Sequence, residues 1–276
     1  MTQLISQEQI TRYREDGVVV LRNLFSEKWL DVVAEGIEQN LADPSRRTTD
    51  YVNDPARNAH FFYDAHLLGG VNGYDRLMLE SPMAEAVARL MESTQAILFY
   101  ISVFVRATGT RNRTPWHQDQ PSWSASGNHA CSAWMSLDPV PAETALEFVR
   151  GSHRWPHDYE RPEFFHFRYE GDDRSHKKPF PDIESNREDY EILGWDMEPG
   201  DCLVFHGMTT HGGSGDLPPE LGRRSVSVQW LGDDARFRLL AGRDDPHISE
   251  ELQKHGVQPG ESVSCDICPV AWSEAG

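Results

Sequence analysis

Hydrophobic residues recur at helical spacing in the N-terminal third of the chain and then give way to short apolar runs typical of β-strands. Ser6 and Gln9 form the pattern of a capping box, which predicts the start of a first helix. Ser26 and Pro82 are residue types that favour the beginnings of two further helices. Helices are therefore predicted at about residues 6–15, 26–41 and 82–92.

Apolar and alternating runs predict six strands, at residues 17–21, 97–105, 131–137, 146–149, 202–206 and 223–231. The charged stretch 155–190 carries aromatic residues without strand periodicity, and long insertions of this kind often act as lids. Residues 235–276 show no clear pattern and are interpreted as a C-terminal tail. Because no linker or internal repeat divides the sequence, residues 1–276 are predicted to form a single domain.

The composition of the chain limits the classes of molecule that it is expected to bind. The formal net charge is −18 and the isoelectric point is about 5.0, which argues against binding to nucleic acid or to an anionic membrane surface. No apolar stretch is long enough to span a bilayer, and polar residues from Ser6 onwards leave no room for a signal-peptide core. We therefore expect a cytoplasmic protein whose partner is a small molecule.

The four cysteines fall into two groups. Cys131 and Cys202 lie in apolar strands and are predicted to be reduced core residues. Cys265 and Cys268 form a Cys-x-x-Cys pair, which could bind zinc together with upstream histidines or act as a redox pair. Structural zinc sites usually combine two such pairs, and this sequence has one, so neither role is favoured.

The triplet His117-Gln118-Asp119 is the first candidate for chemistry. A His-x-Asp triplet alone is weak evidence, since with 12 histidines about one is expected by chance. A strand-like approach would place His117 and Asp119 on the same side, because side chains in a strand alternate. Two histidines and one carboxylate can hold iron by one face and leave the other face open.

The third candidate ligand lies almost a hundred residues later. His211 follows the predicted strand 202–206 and is flanked by glycines, which allow the backbone to pass close to a ligand. His206, which ends that strand, is the competing choice. Further on, Arg223 and Arg224 open the last strand, and an arginine there could hold a carboxylate of a dicarboxylic co-substrate.

Several short motifs stand in the order found in one family. Besides the residues above, they are the segment 10–21, the segments 133–138 and 151–154, and Pro199-Gly200-Asp201. With them the chain resembles the phytanoyl-CoA dioxygenase (PhyH) family, a branch of the iron(II)- and 2-oxoglutarate-dependent oxygenases, over roughly residues 5–237.

The resemblance implies a mainly β fold with flanking helices, a double-stranded β-helix of the jelly-roll or cupin type. It implies that His117, Asp119 and His211 bind ferrous iron. Arg223 would hold the remote carboxylate of 2-oxoglutarate, with Arg224 as the alternate, and Trp134 and Cys131 would lie beside that co-substrate. Dioxygen would be the oxidant.

The substrate is less defined. The candidate pocket residues are mostly aromatic, which suits a small organic molecule with apolar surface; they are Phe61, Phe62, Tyr63, Phe104, Gln120, Trp123 and Trp134. A CoA thioester would need a basic groove, for which Arg174, Lys177 and Lys178 are the local candidates, and the overall negative charge disfavours it. The family's usual Pro-Gly-Ser-His is Arg150-Gly151-Ser152-His153 here, which weakens transfer of the family's name-giving substrate.

Three functional hypotheses follow. The favoured one is hydroxylation of an unactivated C–H bond, with release of succinate and carbon dioxide. The second keeps the metal site but ends in desaturation, cyclisation or epimerisation. The third is a cupin-like metal isomerase or binding protein that does not use 2-oxoglutarate, in which Arg223 has no role.

Overall fold

The structure is a computed structural model that describes residues 4–54, 59–107, 113–155, 159–160, 178–213, 222–240 and 246–274. Its helices are α1 (Gln7–Asp16), α2 (Glu27–Ala42), α3 (Asn72–Glu80), α4 (Met83–Met91) and α5 (Ser249–Lys254). Its strands are β1 (Val18–Leu21), β2 (Thr49–Asp54), β3 (Ala59–His66), β4 (Gln95–Arg106), β5 (Thr114–His117), β6 (Ala125–Ser126), β7 (Ala130–Ser136), β8 (Leu146–Val149), β9 (Ile192–Leu193), β10 (Cys202–His206), β11 (His211–Gly213), β12 (Arg223–Leu231), β13 (Arg236–Phe237) and β14 (Val270–Ser273).

The predicted helices α1, α2 and α4 are confirmed to within one residue at each end. The capping box of α1 is present: the Gln9 backbone N–H donates to Ser6 Oγ over 3.2 Å, and the Ser6 backbone N–H donates to Gln9 Oε1 over 2.7 Å. Gly17 ends this helix at a φ of +81°, a backbone conformation that costs glycine little. Local capping chemistry therefore sets both ends of α1.

A large antiparallel sheet carries most of the chain, and the six predicted strands all belong to it or to the sheet that faces it. Its strand order is β1-β10-β7-β12-β4-β3-β2, and β14 pairs with β4 at the end of β4 away from β3. A smaller sheet of order β5-β11-β8-β9 lies opposite, and a cluster containing Trp134, Phe148 and Phe205 fills part of the space between the two.

The two faces of the large sheet pack against different parts of the molecule. Ile101 and Val103 on β4, with Val226 and Val228 on β12, are buried in one cluster with apolar residues of α1 to α4. The alternate residues of the same strands face the smaller sheet. Burial on both faces explains why β4 reads as a nearly continuous apolar run in the sequence. None of the helices in the described ranges combines the length and the apolar composition that a membrane span needs.

The segment after residue 235, interpreted from the sequence as a tail, contains β13, α5 and β14. Phe237, Leu252 and Val263 are fully buried in a cluster with Phe99 and Trp123. The sequence pattern also left β2, β3 and α3 unassigned. The predicted lid at 155–190 lies largely outside the described residues, and its role stays a prediction.

We predict that Leu252→Ala lowers the free energy of unfolding by about 2–5 kcal/mol, because it opens a cavity in the core. Leu239→Ala is the matched control, since the Leu239 side chain is 53% exposed, and it should change stability by less than about 0.5 kcal/mol. Urea denaturation measures both. Equal effects in the two variants would show that the C-terminal segment does not contribute to the core.

Candidate metal centre and its cavity

Strand pairing brings the two candidate histidines together. His117 ends β5 and His211 begins β11, and they are direct partners in the antiparallel ladder of the smaller sheet. Their ring centroids are 4.1 Å apart. Ligands separated by almost a hundred residues in sequence therefore become neighbours through one strand pair.

Asp119 reaches the site by a different route from the one that alternation predicts. Strand β5 ends at His117 and does not continue through Asp119. The chain turns after His117, and Asp119 has helical backbone angles (φ −75°, ψ −51°) at the start of a 3₁₀ turn over Gln120–Ser122. Its Oδ1 lies 3.3 Å from His117 Nε2 and 3.6 Å from His211 Nε2. The turn, rather than strand periodicity, places the carboxylate.

Backbone and side-chain hydrogen bonds orient all three groups. His117 Nδ1 donates to the carbonyl of Pro115 over 2.8 Å, and His211 Nδ1 donates to that of Thr209 over 2.9 Å. A carbonyl oxygen can only accept, so Nδ1 carries the proton in both rings and Nε2 is the ligand nitrogen. Ser132 Oγ donates to Asp119 Oδ2 over 2.7 Å, which turns Oδ1 towards the histidines.

The electrostatics of these groups suit metal binding. Burial, together with the neighbouring His117, lowers the pKa of His211 to about 4, so this ring is neutral at physiological pH. Burial acts to raise the pKa of Asp119, but the two histidines and the Ser132 hydroxyl outweigh it and hold that pKa at about 2. A neutral imidazole and an ionised carboxylate are the forms that bind a cation.

The three groups can therefore share one ion. One ligand atom from each of His117, Asp119 and His211 lies within 4.8 Å of the other two. Within the described part of the chain, no other group of His, Cys, Asp or Glu side chains meets this criterion. Two imidazoles and one carboxylate on one side of an ion form the donor set of non-haem ferrous oxygenases, so the residues fit iron.

The triad lies in the wall of an open cavity between the two sheets, whose volume is about 1060 Å³ when the solvent space at its mouth is included. Much of the cavity lining is aromatic, and these residues are Tyr51, Phe61, Tyr63, Tyr100, Phe104, Trp123, Trp134 and Phe205. Ser102, Ser225, Ser227 and Gln229 add a polar strip along β4 and β12. This space can hold a small organic molecule together with a co-substrate.

Arg223 and Arg224 lie on opposite sides of the large sheet. Arg223 is buried in the cavity wall, where its Nη2 donates to the backbone oxygen of Thr144 over 2.7 Å and to its Oγ1 over 3.0 Å. Arg224 is partly exposed and pairs with Asp138, with 2.7 Å between Nη2 and Oδ1. Burial lowers the pKa of Arg223 to about 10, so it stays charged at neutral pH.

Arg106 is a second buried arginine in the cavity that the sequence analysis did not identify. It is the ladder partner of Arg223, and its guanidinium carbon lies 4.8 Å from the centre of the Phe61 ring. Positive charge therefore accumulates at this end of the cavity. The alternation of side chains in a strand could have identified Arg106, because it stands two residues after Phe104 and so lies on the same face of β4.

Of the predicted pocket residues, Phe61, Tyr63, Phe104, Trp123 and Trp134 line the cavity. Phe62, Gln120 and Cys131 are not among the lining residues. Phe62 lies between two cavity residues in β3 and so faces the other side of the sheet. Cys131 likewise packs in the helix-facing cluster, and Gln120 Nε2 instead donates to the carbonyl of Gly127 over 2.6 Å.

Two other candidates also lie apart from the centre. His206 is on the face of β10 opposite Phe205, and its ring packs against those of Tyr13 and His153. Burial lowers its pKa to about 4.

Cys265 and Cys268 belong to no potential metal group in the described ranges. The candidate CoA-binding residues Arg174 and Lys177 lie outside the described residues.

Residues 13–220 match the family described as phytanoyl-CoA dioxygenase (PhyH). A probable phytanoyl-CoA dioxygenase of Caenorhabditis elegans is 26% identical over an alignment 173 residues long, which covers 58% of this chain and 52% of the relative. An ectoine dioxygenase of Bordetella parapertussis is 25% identical over an alignment 158 residues long, which covers 54% of this chain and 50% of the relative. The match thus spans about half the length of these curated relatives.

Solved structures resemble the whole fold. The epimerase SnoN, in complex with Fe³⁺, alpha-ketoglutarate and nogalamycin RO, superposes with a TM-score of 0.72 at 21% identity, covering 96% of this chain and 98% of that one. The carbocyclase SnoK from nogalamycin biosynthesis gives 0.71 at 19% identity, with 96% of each chain covered. EctD from S. alaskensis, with 2-oxoglutarate and 5-hydroxyectoine, gives 0.68 at 19%, covering 94% and 86%.

These matches confirm the predicted double-stranded β-helix, and their identities are low enough that they establish the fold alone. The family match covers His117, Asp119 and His211 and confirms the predicted family. The enzyme class and the cofactors predicted from the sequence, iron and 2-oxoglutarate, are those of this family. The chain belongs to the phytanoyl-CoA dioxygenase family of iron- and 2-oxoglutarate-dependent oxygenases.

Proposed function

We propose that this protein hydroxylates an unactivated C–H bond of a small organic molecule, using ferrous iron, 2-oxoglutarate and dioxygen. One observation carries the proposal: the His117–Asp119–His211 triad and the buried, charged Arg223 line the same cavity. A metal triad alone would also suit a cupin-like isomerase. The arginine supplies what a dicarboxylic co-substrate needs.

The triad would hold iron on one face, since its three ligand atoms converge from β5, the turn after it and β11. Iron and 2-oxoglutarate, when bound, supply the oxidising chemistry, in which decarboxylation of the 2-oxo acid to succinate is coupled to oxidation of the substrate. The protein's own carboxylate at Asp119 takes the position that a halide would need, so hydroxylation is favoured over halogenation.

Arg223 is suited to the remote carboxylate of 2-oxoglutarate. A guanidinium has five N–H donors in a planar fork that matches a carboxylate. Among the described residues, the contacts from Arg223 to Thr144 use Nη2 alone, which leaves further donors for the anion. Thr144 fixes the position of the guanidinium, and burial removes the water that would otherwise screen its charge.

The remaining cavity surface selects the substrate. Aromatic side chains on β2, β3 and β4 offer flat apolar surface and exclude water, whereas the strip of serines and Gln229 offers hydrogen bonds. Such a lining suits a ring-containing molecule that carries polar groups on one side. The names of the relatives and structural neighbours include an ectoine dioxygenase, a carbocyclase and an epimerase, so the outcome must be read from the product.

The product's formula separates these outcomes. Hydroxylation adds one oxygen atom, which should derive from labelled dioxygen. Desaturation and ring closure remove two hydrogen atoms, and epimerisation leaves the formula unchanged. Mass spectrometry of turnover mixtures under ¹⁸O₂ therefore tests the hydroxylase assignment once a substrate is found, and unlabelled product of unchanged formula would replace it with the epimerase alternative.

We predict that metal-free protein, titrated anaerobically with ferrous iron and then 2-oxoglutarate, develops the visible charge-transfer band of a chelated 2-oxo acid. His211→Ala should abolish the band because one of three ligands is lost. His206→Gln is the matched control and should keep it, since His206 lies on the other face of β10. A missing band in folded wild-type protein would favour the cupin-like alternative.

We expect Arg223→Gln to raise the KM for 2-oxoglutarate by at least about 30-fold, because removing one partner of a buried charge pair costs about 2–5 kcal/mol. Arg224→Gln removes the same charge from the opposite face of the same strand and should change the KM little. Initial rates of succinate formation give both values. A similar rise in both variants, or in neither, would contradict the assignment to Arg223.

Ser132→Ala is expected to weaken ferrous iron binding by about 10-fold to 100-fold, because Asp119 loses the hydroxyl that orients it. Ser136→Ala, on the same strand but bonded to the Arg224 carbonyl, is the control and should leave the affinity unchanged. Anaerobic competition with a coloured chelator measures the Kd. Equal affinities in wild type and Ser132→Ala would exclude this positioning role.

A further inference from the structure

Cys265 and Cys268 close a tight turn beside the large sheet. The backbone N–H of Cys265 donates to the carbonyl of Cys268 over 3.1 Å, and the reverse bond measures 3.0 Å. Residues that exchange both hydrogen bonds across an antiparallel pair have Cα atoms about 5.5 Å apart. This separation lies within the range that a disulfide spans.

The turn is held on a rigid support. The carbonyl of Pro269 accepts from the Leu98 backbone N–H over 2.9 Å, and β14 then pairs with β4. Cys268 is fully buried, and its sulfur lies 3.6 Å from the carbonyl oxygen of Phe99. Cys265 remains partly exposed. One cysteine is thus partly accessible to solvent, and its partner across the turn is buried.

The two thiols also differ in acidity. A hydrogen bond from Cys268 is the main cause that lowers the pKa of Cys265 to about 6, and this same bond, together with burial, raises the pKa of Cys268. The lowered pKa favours the thiolate form of Cys265 over that of an ordinary cysteine. Cys131 and Cys202 are buried, and burial raises the pKa of both thiols.

We propose that Cys265 and Cys268 form a redox-active dithiol that a small-molecule disulfide, such as glutathione disulfide, converts reversibly to an intrachain disulfide. Its support is the turn geometry together with the pairing of one accessible and one buried thiol. Neither cysteine lines the cavity, so the site is separate from the metal centre and does not depend on the proposed oxygenase activity.

The chemistry balances as two thiol–disulfide exchanges. The Cys265 thiolate attacks one sulfur of glutathione disulfide, forms a mixed disulfide and expels one glutathione thiolate. Cys268 then loses its proton, attacks the Cys265 sulfur and expels the second glutathione, which takes up that proton. The dithiol gives up two electrons, and one glutathione disulfide becomes two glutathione thiols, the first of which takes its proton from water.

The test equilibrates the full-length protein with defined ratios of reduced and oxidised glutathione, then traps free thiols by alkylation. Peptide mass spectrometry should find the Cys265–Cys268 disulfide, while Cys131 and Cys202 stay reduced as internal controls. Cys268→Ser should accumulate a glutathione adduct on Cys265, whereas Cys265→Ser should form none on Cys268. A wild-type protein that remains a dithiol at every ratio would overturn the proposal.

A second readout separates reactivity from mere proximity. Cys268→Ala removes the hydrogen-bond donor, so alkylation of Cys265 at pH 7 should slow by about 10-fold and its pH profile should move towards that of an ordinary thiol. Cys268→Ser retains a donor and should keep the acidic profile. Equal profiles for the Ala and Ser variants, with unchanged Tm, would refute the activation of Cys265 by Cys268.

Discussion

The alternation of side chains across the large sheet is the constraint on which the rest of the structure depends. One face of β4, β7 and β12 must meet the helices, and the other must line the cavity. Every second residue is therefore committed to one task by its position alone. Arg223 lies in the cavity while Arg224 pairs with Asp138 on the other face, although the two are chemically identical.

The metal centre is built by a different principle. The ladder pairing of β5 with β11 brings two histidines together, but Asp119 arrives because the chain leaves the strand after His117. Ser132 on the large sheet then orients this carboxylate through a direct hydrogen bond. The centre thus depends on both sheets at once, so its geometry reports on how they pack. The ligands are therefore placed correctly only when the two sheets pack together correctly.

The sequence predicted the parts of the molecule that depend on local patterns. Capping residues located α1, and apolar runs located the buried strands, because both signals act within a few residues. Phe62 and Cys131 were assigned to the cavity because composition says that a residue is apolar but not which way it faces. The strands β2 and β3, the last two at one end of the large sheet, carry mixed polar and apolar residues, which hide them from pattern analysis. Tyr51 was missed because it lies on β2, which the sequence pattern left unassigned. Arg106 was missed because it stands one residue beyond the predicted strand 97–105.

The residues that line the cavity also differ in how well the sequence could predict them. The residues proposed to hold iron and 2-oxoglutarate lie on β5, in the turn after it, on β11 and on β12, and could be recognised from short motifs. The aromatic residues of the proposed substrate surface come mainly from β2, β3 and β4, including Tyr51, Tyr63 and Phe104, and no motif marks them. On the proposed assignment, the aromatic surface can change without any change to the residues that would hold iron and 2-oxoglutarate. Such a separation would account for the presence of a dioxygenase, a carbocyclase and an epimerase among the relatives and structural neighbours of this chain.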